Sequence, residues 1–282
     1  MEPLVPTGGT VLLHGAPKSG KSYLALGLAL ALAKGEPWLG HPVTRPVPVF
    51  YTQLDNPRSS WRGRFQTLVD HDITLPPNLF IADKESSPYP FNILSADHLA
   101  QMRVVCNERQ PEVVIVDTLR EFYRGDENDN DRLQQVFAAF HAACAPAAMI
   151  YVHHSRKLPA DGLGIDNPID NARGSNLISG SADTILSISS KHDKRKGDIF
   201  GALTYQGRSI GLTEIKLRMN PLTFLWELPE SATSQDAYHT ALHAALAASD
   251  FASDADRARF LHATFPDKAE ASIKMDLSRG RK

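Results

Sequence analysis

Short apolar runs alternate with helical patterns of apolar and polar residues through the first two-thirds of the chain. The apolar runs predict strands at residues 10–14, 47–52, 79–82, 113–117 and 148–153. The stretches between them predict helices at residues 23–34, 59–69, 96–109 and 133–143. Strands that alternate with helices form crossover units, and a strand as continuously apolar as 113–116 is buried on both faces. The pattern therefore predicts an α/β fold, with a mainly parallel twisted sheet and helices on both faces.

The pattern changes after about residue 181. Shorter alternating runs predict strands at residues 183–189, 201–206, 210–218 and 223–228, as an antiparallel extension of the same sheet. From about residue 230 the sequence becomes helical and alanine-rich, with Ser234 and Ser253 as N-caps and Pro266 in the first turn of a third helix. We therefore expect a core over residues 1–229 and a small helical C-terminal unit over residues 230–282.

The composition is that of an ordinary soluble protein of 282 residues, with 42% hydrophobic and 22% charged residues and a net charge of -2. Bulk charge therefore predicts no affinity for nucleic acid, which would have to come from local basic loops. The longest apolar stretch, residues 23–33, is too short to span a bilayer, and the N-terminus lacks the order of a secretion signal. We expect a cytoplasmic protein with no membrane partner, in which Cys106 and Cys144 are buried free thiols.

The segment between the first predicted strand and the first predicted helix has the pattern G-x-x-x-x-G-K-S. Its glycines allow successive backbone N–H groups to point at one anion, and the helix that follows places its positive end there. We expect Lys21 to reach the β- and γ-phosphates and the Ser22 hydroxyl to bind Mg²⁺. An unrelated Gly/Ser turn is the alternative. The context favours a site for a nucleoside triphosphate, formed by Gly15, Ala16, Pro17, Lys18, Ser19, Gly20, Lys21, Ser22 and Tyr23.

Two later predicted strands lead to a carboxylate. Asp117 follows the apolar run 113–116, and an acid at that position orients Mg²⁺ and its waters from the side opposite the phosphate loop. Asp55 follows the strand at 47–52 and is a candidate to orient or activate the water that attacks the γ-phosphate. Each has a local alternative, because Asp117 could cap a strand-to-helix turn and Asp55 begins the turn sequence Asp-Asn-Pro.

The predicted strand at 148–153 leads into the pair His153-His154. Alternation puts one histidine on each face of the sheet, and His154 is our candidate for sensing the γ-phosphate. A packing role is the alternative, and a zinc site lacks a third ligand at sensible spacing. Three late arginines are candidates to neutralise charge on the transferred phosphate from a neighbouring subunit, with a solvated surface position as the alternative for each: Arg173, Arg208 and Arg218.

Taken in order, these motifs resemble a known family. Together with the segment 35–40 and Arg173-Gly174-Ser175, they are similar to RecA-like ATPases of the RepA type, the hexameric replicative helicases of broad-host-range plasmids. The resemblance covers about residues 5–228. It implies a RecA-like P-loop NTPase core, a homo-oligomeric and hexameric ring with ATP and Mg²⁺ between adjacent subunits, and single-stranded DNA held by loops that face the centre.

By position, the resemblance implies Asp55 as the catalytic acid, Asp117 as the Mg²⁺ acid, His154 as the sensor and Arg208 as the finger acting in trans. Two positions depart from the family pattern. The catalytic acid is normally Glu, and the shorter Asp55 predicts slow turnover because the attacking water lies further from the carboxylate. The finger normally comes as Lys-x-Arg, whereas Gln206 stands at the lysine position here.

The sequence leaves two functions open. A DNA-dependent motor needs basic loops at a central pore, but the loop at 124–131 is strongly acidic, which leaves the hairpin lysines and arginine at 191–196 as better contacts. The alternative is a nucleotide-dependent switch or binding module, with the C-terminal unit on DNA or a partner protein and residues 271–277 as a possible recognition helix. A small-molecule kinase is disfavoured by the late antiparallel hairpins and by the absence of an arginine-rich lid in the central sequence.

Overall fold

The computed structural model describes Met1, Ile169 and residues 3–86, 90–126, 129–155, 180–193, 197–229, 234–247, 251–265 and 268–280. Strands within these residues form one sheet in the order β3-β2-β4-β5-β1-β6-β7-β8-β9. Their bounds are β1 Thr10–Gly15, β2 Val49–Gln53, β3 Leu79–Asp83, β4 Val113–Asp117, β5 Ala148–His154, β6 Thr184–His192, β7 Ile199–Gly207, β8 Ile210–Met219 and β9 Trp226–Glu227.

Helices connect the strands of the first half and form the C-terminal region. Their bounds are α1 Lys21–Lys34, α2 Arg58–Asp70, α3 Ala96–Arg109, α4 Asn130–Cys144, α5 Ser234–Ala247, α6 Asp254–Thr264 and α7 Glu270–Arg279, with a 3₁₀-helix at Leu119–Phe122. Helix α1 ends where Gly35 adopts a left-handed φ of 73° and donates its N–H to carbonyls of the last turn. The predicted end of this helix at residue 34 is therefore confirmed.

The direction of the strands confirms the mainly parallel sheet and corrects one detail. Strands β1 to β5 are parallel to all their neighbours, whereas β6 is parallel to β1 and antiparallel to β7. We expected the segment at 183–189 to start the antiparallel extension, but β6 pairs in parallel with β1. Residues 155–183 separate β5 from β6, which is more than the dozen residues that a connection between parallel strands requires.

The core consists of two apolar layers on opposite faces of the sheet. Helices α1 and α2 cover one face, where α1 is buried over most of its circumference, as its continuous run of leucine and alanine predicts. Helices α3 and α4 cover the other face. Cys106 of α3 and Cys144 of α4 lie in this second layer as buried free thiols, with their sulfur atoms 3.2 Å apart.

The C-terminal helices α5, α6 and α7 enclose a small apolar cluster of their own, which includes Tyr238, Leu261 and Ile273. Ser253 caps α6 as predicted, because its hydroxyl accepts the N–H of Asp256 at 3.2 Å. A separate apolar cluster supports the predicted division of the chain into a core and a C-terminal unit near residue 229. The division itself stays a prediction.

Several predicted features lie outside the described residues. They are Arg173, Pro266 and the hairpin residues Lys194, Arg195 and Lys196. In the part of the chain that is described, no helix combines the length and the apolar character needed to cross a membrane.

Candidate functional site

The predicted phosphate loop connects β1 to α1 at the carboxyl edge of the parallel strands. Gly20 has a left-handed φ of 84°, a conformation that favours glycine, and α1 begins directly after it at Lys21. The Lys21 Nζ donates to the carbonyl oxygens of Gly15 and Ala16 at 3.0 and 2.9 Å. The predicted context of the motif, strand before and helix after, is therefore present.

Burial changes the pKa of Lys21. Removal of its ammonium group from water lowers the pKa of Lys21 to about 8, although the nearby carboxylates of Asp117 and Asp55 act in the opposite direction. Anionic phosphates near the loop would favour the charged ammonium in the same way.

Asp117 lies at the end of β4 beside the start of α1 and is almost fully buried. The Tyr51 hydroxyl donates to Asp117 Oδ2 at 2.6 Å, and the Ser22 hydroxyl hydrogen-bonds to the same carboxylate. Burial raises the pKa of Asp117, while these two hydrogen bonds lower it. A hydroxyl and a carboxylate held together are hard oxygen donors, so Ser22 and Asp117 fit Mg²⁺, which would neutralise phosphate charge there.

Asp55 follows β2 at the same edge of the sheet. Its side chain is exposed, and it lines a cavity of about 410 Å³ together with the phosphate loop. The Asp55 carboxylate is close enough to Lys21 to raise the pKa of that lysine. Asp55 and Asn56 also form the link to α2, so the turn role and the catalytic role are compatible with one position.

The two histidines at the end of β5 lie on opposite faces, as alternation predicts. His153 follows Met149 and Tyr151 on the face covered by α3 and α4, whereas His154 lies on the phosphate-loop face and lines the cavity. His154 is paired in register with Gly15 of the loop. Strands β4 and β5 are neighbours, which brings the Asp117 and His154 positions to adjacent strand ends.

Two cavity residues come from elements that the sequence reasoning did not connect to the loop. Arg64 of α2 lies with its Cζ 4.7 Å from the centre of the Tyr23 ring, and its Nη1 is buried without a hydrogen-bond partner among the described residues. Trp226 of β9 donates its indole N–H to the Gly20 carbonyl at 3.1 Å. The i, i+3 spacing of Trp61 and Arg64 is the signal in α2, because it places the two side chains on one side of the helix, where the Arg64 guanidinium lies over the Trp61 ring.

An aromatic pair lies at the end of the cavity beyond Ser22. The rings of Tyr23 and Phe224 are 5.7 Å apart, and Phe224 is 41% exposed. Phe224 also has a φ of 60°, a strained value for a bulky residue. Phe224 was not expected at this site, because its segment was predicted as a strand from 223 to 228, whereas β9 contains only two residues.

Of the late arginines, the two that the structure describes, Arg208 and Arg218, do not line the cavity. Arg208 is 70% exposed at its side chain, follows β7 and pairs with Asp183 at 3.3 Å. Because β7 ends beside the start of β6, Arg208 lies at the sheet edge opposite the phosphate loop. Arg218 of β8 pairs with Asp198 at 3.3 Å. Among the described residues, no group of three or more His, Cys, Asp or Glu side chains could hold a metal ion.

Comparison with known proteins agrees with this geometry. A family profile described as an AAA domain matches residues 1–160. Among solved structures, the ATPase domain of G40P is 13% identical with a TM-score of 0.56, covering 80% of this chain and 86% of its own. A KaiC-like protein, PH0186 from the hyperthermophilic archaeon Pyrococcus horikoshii OT3, is 12% identical with a TM-score of 0.51, covering 78% and 90%. A search of curated proteins gives no match.

The fold and the nucleotide-site geometry together define a RecA-like P-loop ATPase domain. The likeness to the two solved structures is one of fold. The chain belongs to the AAA domain family that its first 160 residues match.

Proposed function

We propose that this protein binds and hydrolyses ATP with Mg²⁺, and that it works as an oligomeric, DNA-dependent motor of the helicase type in DNA replication. The observation that carries the ATPase part is the convergence of Lys21, Asp55 and His154 around a single cavity. Asp117 is buried at the same strand edge, where it hydrogen-bonds to Ser22 of the cavity lining. Lys21 binds the β- and γ-phosphates, while Asp117 and Ser22 hold Mg²⁺. Asp55 orients the attacking water, and His154 senses the γ-phosphate.

The aromatic pair supports a nucleotide with its base beyond Tyr23. Backbone N–H groups at the start of α1 bind the phosphates, so the base extends past Ser22 toward Tyr23 and Phe224. Stacking on such rings is favourable for any base, because every base has a π face. Arg64 adds a second cation on the same side, 4.7 Å from the Tyr23 ring centre.

The position of Arg208 supports a neighbouring subunit as the source of the finger. Strand β1 has six residues, so its two ends are roughly 16 Å apart at about 3.3 Å per residue. Because Arg208 lies at the far edge, its guanidinium is better placed to contact a nucleotide bound to an adjacent copy than one bound to its own chain. A head-to-tail interface of this kind closes into a ring when the rotation permits. A hexamer of the RepA type is the ring we propose.

A nucleotide-dependent switch is the second candidate. The stretch after the 3₁₀-helix carries Asp126, Asp129 and Asp131 among its described residues, and their charge opposes a phosphate backbone. The shorter side chain of Asp55 also favours slow turnover. In this alternative, ATP closes subunit contacts and the C-terminal helices engage DNA or a partner protein.

One experiment separates the two candidates. ATP hydrolysis is measured with and without single-stranded DNA, and the mass of the assembly is measured with and without ATP. Strong stimulation by DNA in a ring supports the motor, whereas tight ATP binding, negligible turnover and assembly without DNA support the switch. Lys21→Ala is the control, and normal ATP binding by this variant would show that the nucleotide site is elsewhere.

A further inference from the structure

A buried carboxamide lies beside the proposed Mg²⁺ acid and has no assigned role. Gln53 is the last residue of β2 and is 0% exposed. Neither its amide nitrogen nor its amide oxygen has a hydrogen-bond partner among the described residues. Burying a carboxamide without partners costs about 1–3 kcal/mol, so stability alone does not account for this residue.

Strand register places Gln53 on the nucleotide face. Gln53 is paired with Asp117 across the β2–β4 ladder, and residues paired in a parallel ladder share a face of the sheet. Tyr51, two residues earlier on the same face, already donates to Asp117. Gln53 and Tyr51 therefore lie on the same face of β2, and Gln53 is the nearer of the two to the carboxyl edge of the sheet, where the cavity lies.

The chain neighbours of this pair reach the cavity itself. Asp55, two residues after Gln53, and Thr118, the residue after Asp117, both line it. Gln53 and Asp117 do not line the cavity themselves, but each lies within two residues of one that does, on adjacent strands. A carboxamide can accept a hydrogen bond through its oxygen and donate one through its nitrogen at the same time, which suits a water molecule between two acidic groups.

We propose that Gln53 is a further catalytic residue of the ATP site: its unpartnered amide turns toward the cavity when ATP binds and holds the attacking water between Asp55 and the γ-phosphate. This inference rests on the proposed ATPase function. The water oxygen bonds to the γ-phosphorus as the bond from that phosphorus to the bridging oxygen of ADP breaks. The water proton passes to the Asp55 carboxylate, and the Gln53 amide keeps its own protons throughout.

The test uses Gln53→Leu, which is of similar size and removes both amide polar atoms. We expect kcat for ATP to fall on the order of tenfold or more, because the water loses its orientation. The KM for ATP should stay within about threefold, because no phosphate contact is removed. The melting temperature of the nucleotide-free protein should rise by about 2 °C, because an unpaired buried amide is replaced by an apolar group.

Thr52→Val is the matched control. Thr52 is also buried, directly precedes Gln53 and faces the other side of the sheet, where its hydroxyl donates to the Ile115 carbonyl at 3.0 Å. This variant should keep kcat within about twofold, and its melting temperature should not rise, because its hydroxyl is already paired. Gln53→Met, with an unbranched side chain, is the second test variant, and the same opposite shifts in kcat and melting temperature are expected.

Two outcomes would overturn the role of Gln53 while leaving the ATPase intact. One is an unchanged kcat in both Gln53 variants. The other is a fall in melting temperature together with kcat in both, which would make the amide a structural group. If the unmodified protein shows no ATP hydrolysis, the proposed function fails first, and the role of Gln53 fails with it.

Discussion

The indole N–H of Trp226 donates to the carbonyl oxygen of Gly20 at 3.1 Å, a contact that joins the last strand of the sheet to the phosphate loop. The same carbonyl accepts the N–H of Leu24 in the first turn of α1. A Cβ added at Gly20 would lie 2.8 Å from the Trp226 Nε1, which is closer than real side chains approach. The indole therefore packs directly on the loop and fixes the glycine that turns the chain into α1.

Trp226 should report ATP binding through its fluorescence, because it lines the same cavity as Lys21. The chain has three tryptophans, so single Trp→Phe variants can assign the signal. We expect Trp226→Phe to lose the ATP-dependent change and to lower the free energy of unfolding by about 1 kcal/mol, the usual net value of one hydrogen bond. Fluorescence titration and denaturant unfolding measure the two effects.

Trp38→Phe is the control for that assignment. Trp38 is buried but does not line the cavity, so this variant should keep the ATP-dependent change. If the ATP-dependent change persists in Trp226→Phe and disappears in Trp38→Phe, ATP binds outside this cavity.

Arg64 should contribute to ATP affinity. Its Nη1 is buried without a partner among the described residues, and the nearby Asp117 carboxylate is already engaged by Tyr51. A phosphate oxygen is the natural acceptor for that donor, and a charge-assisted hydrogen bond is worth about 1.5–3 kcal/mol. We expect Arg64→Met to weaken binding of a fluorescent ATP analogue at least about tenfold.

The neighbouring arginine on the same helix provides a matched control. Arg62 is exposed, so Arg62→Met removes an equal charge and should change the affinity by less than about twofold. Equal effects of the two substitutions would mean that only the general charge of α2 matters, and the specific contact of Arg64 would be refuted.

ATP binding should take up a proton through Lys21 at alkaline pH. Burial lowers the pKa of Lys21 to about 8, so at pH 8.5 roughly three-quarters of the free protein carries a neutral amine there. Phosphates favour the charged form, so binding returns the proton, and affinity falls as pH rises from 8 toward the usual lysine pKa. Calorimetry in two buffers of different ionisation enthalpy measures this uptake as roughly three-quarters of a proton at pH 8.5.

Lys21→Arg tests the source of that proton. Arginine stays charged over this pH range, so the variant should bind ATP with no proton uptake attributable to residue 21. Uptake of equal size in both proteins would assign the proton to another group.

The sequence predicted those parts of the site that are encoded locally. The phosphate loop and the acid after β4 each lie in one short stretch, where strand, turn and chemistry are read together. Strand alternation also predicted that only one of His153 and His154 faces the loop, and the preferred candidate, His154, lines the cavity. These inferences needed only the period of a strand and the common edge of parallel strands.

Other parts of the site depend on packing between distant segments. Trp226 meets Gly20 across 206 positions, and the short β9 that carries it has no strong pattern. Arg64 reaches the cavity because Trp61 fixes the rotation of α2 against Tyr51. The parallel direction of β6 was also missed, since alternation specifies the faces of a strand but not its direction.

Asp55 gives the sharpest test of catalysis. It lines the cavity at an exposed position after β2, and its side chain is one methylene shorter than glutamate. We expect Asp55→Glu to raise kcat several-fold by bringing the carboxylate nearer the water, and Asp55→Asn to lower it on the order of a hundredfold. Phosphate release measures both, and ATP affinity should stay nearly constant because neither substitution removes a phosphate contact.

Asp70→Asn is the matched control for the Asp55 variants. Asp70 is an exposed carboxylate at the other end of α2, so kcat should not change when its charge is removed. If Asp55→Asn also keeps full turnover, the Asp-Asn-Pro segment serves only as the turn into α2. The base would then have to be another group at this edge, and His154 is the next candidate because it lines the same cavity.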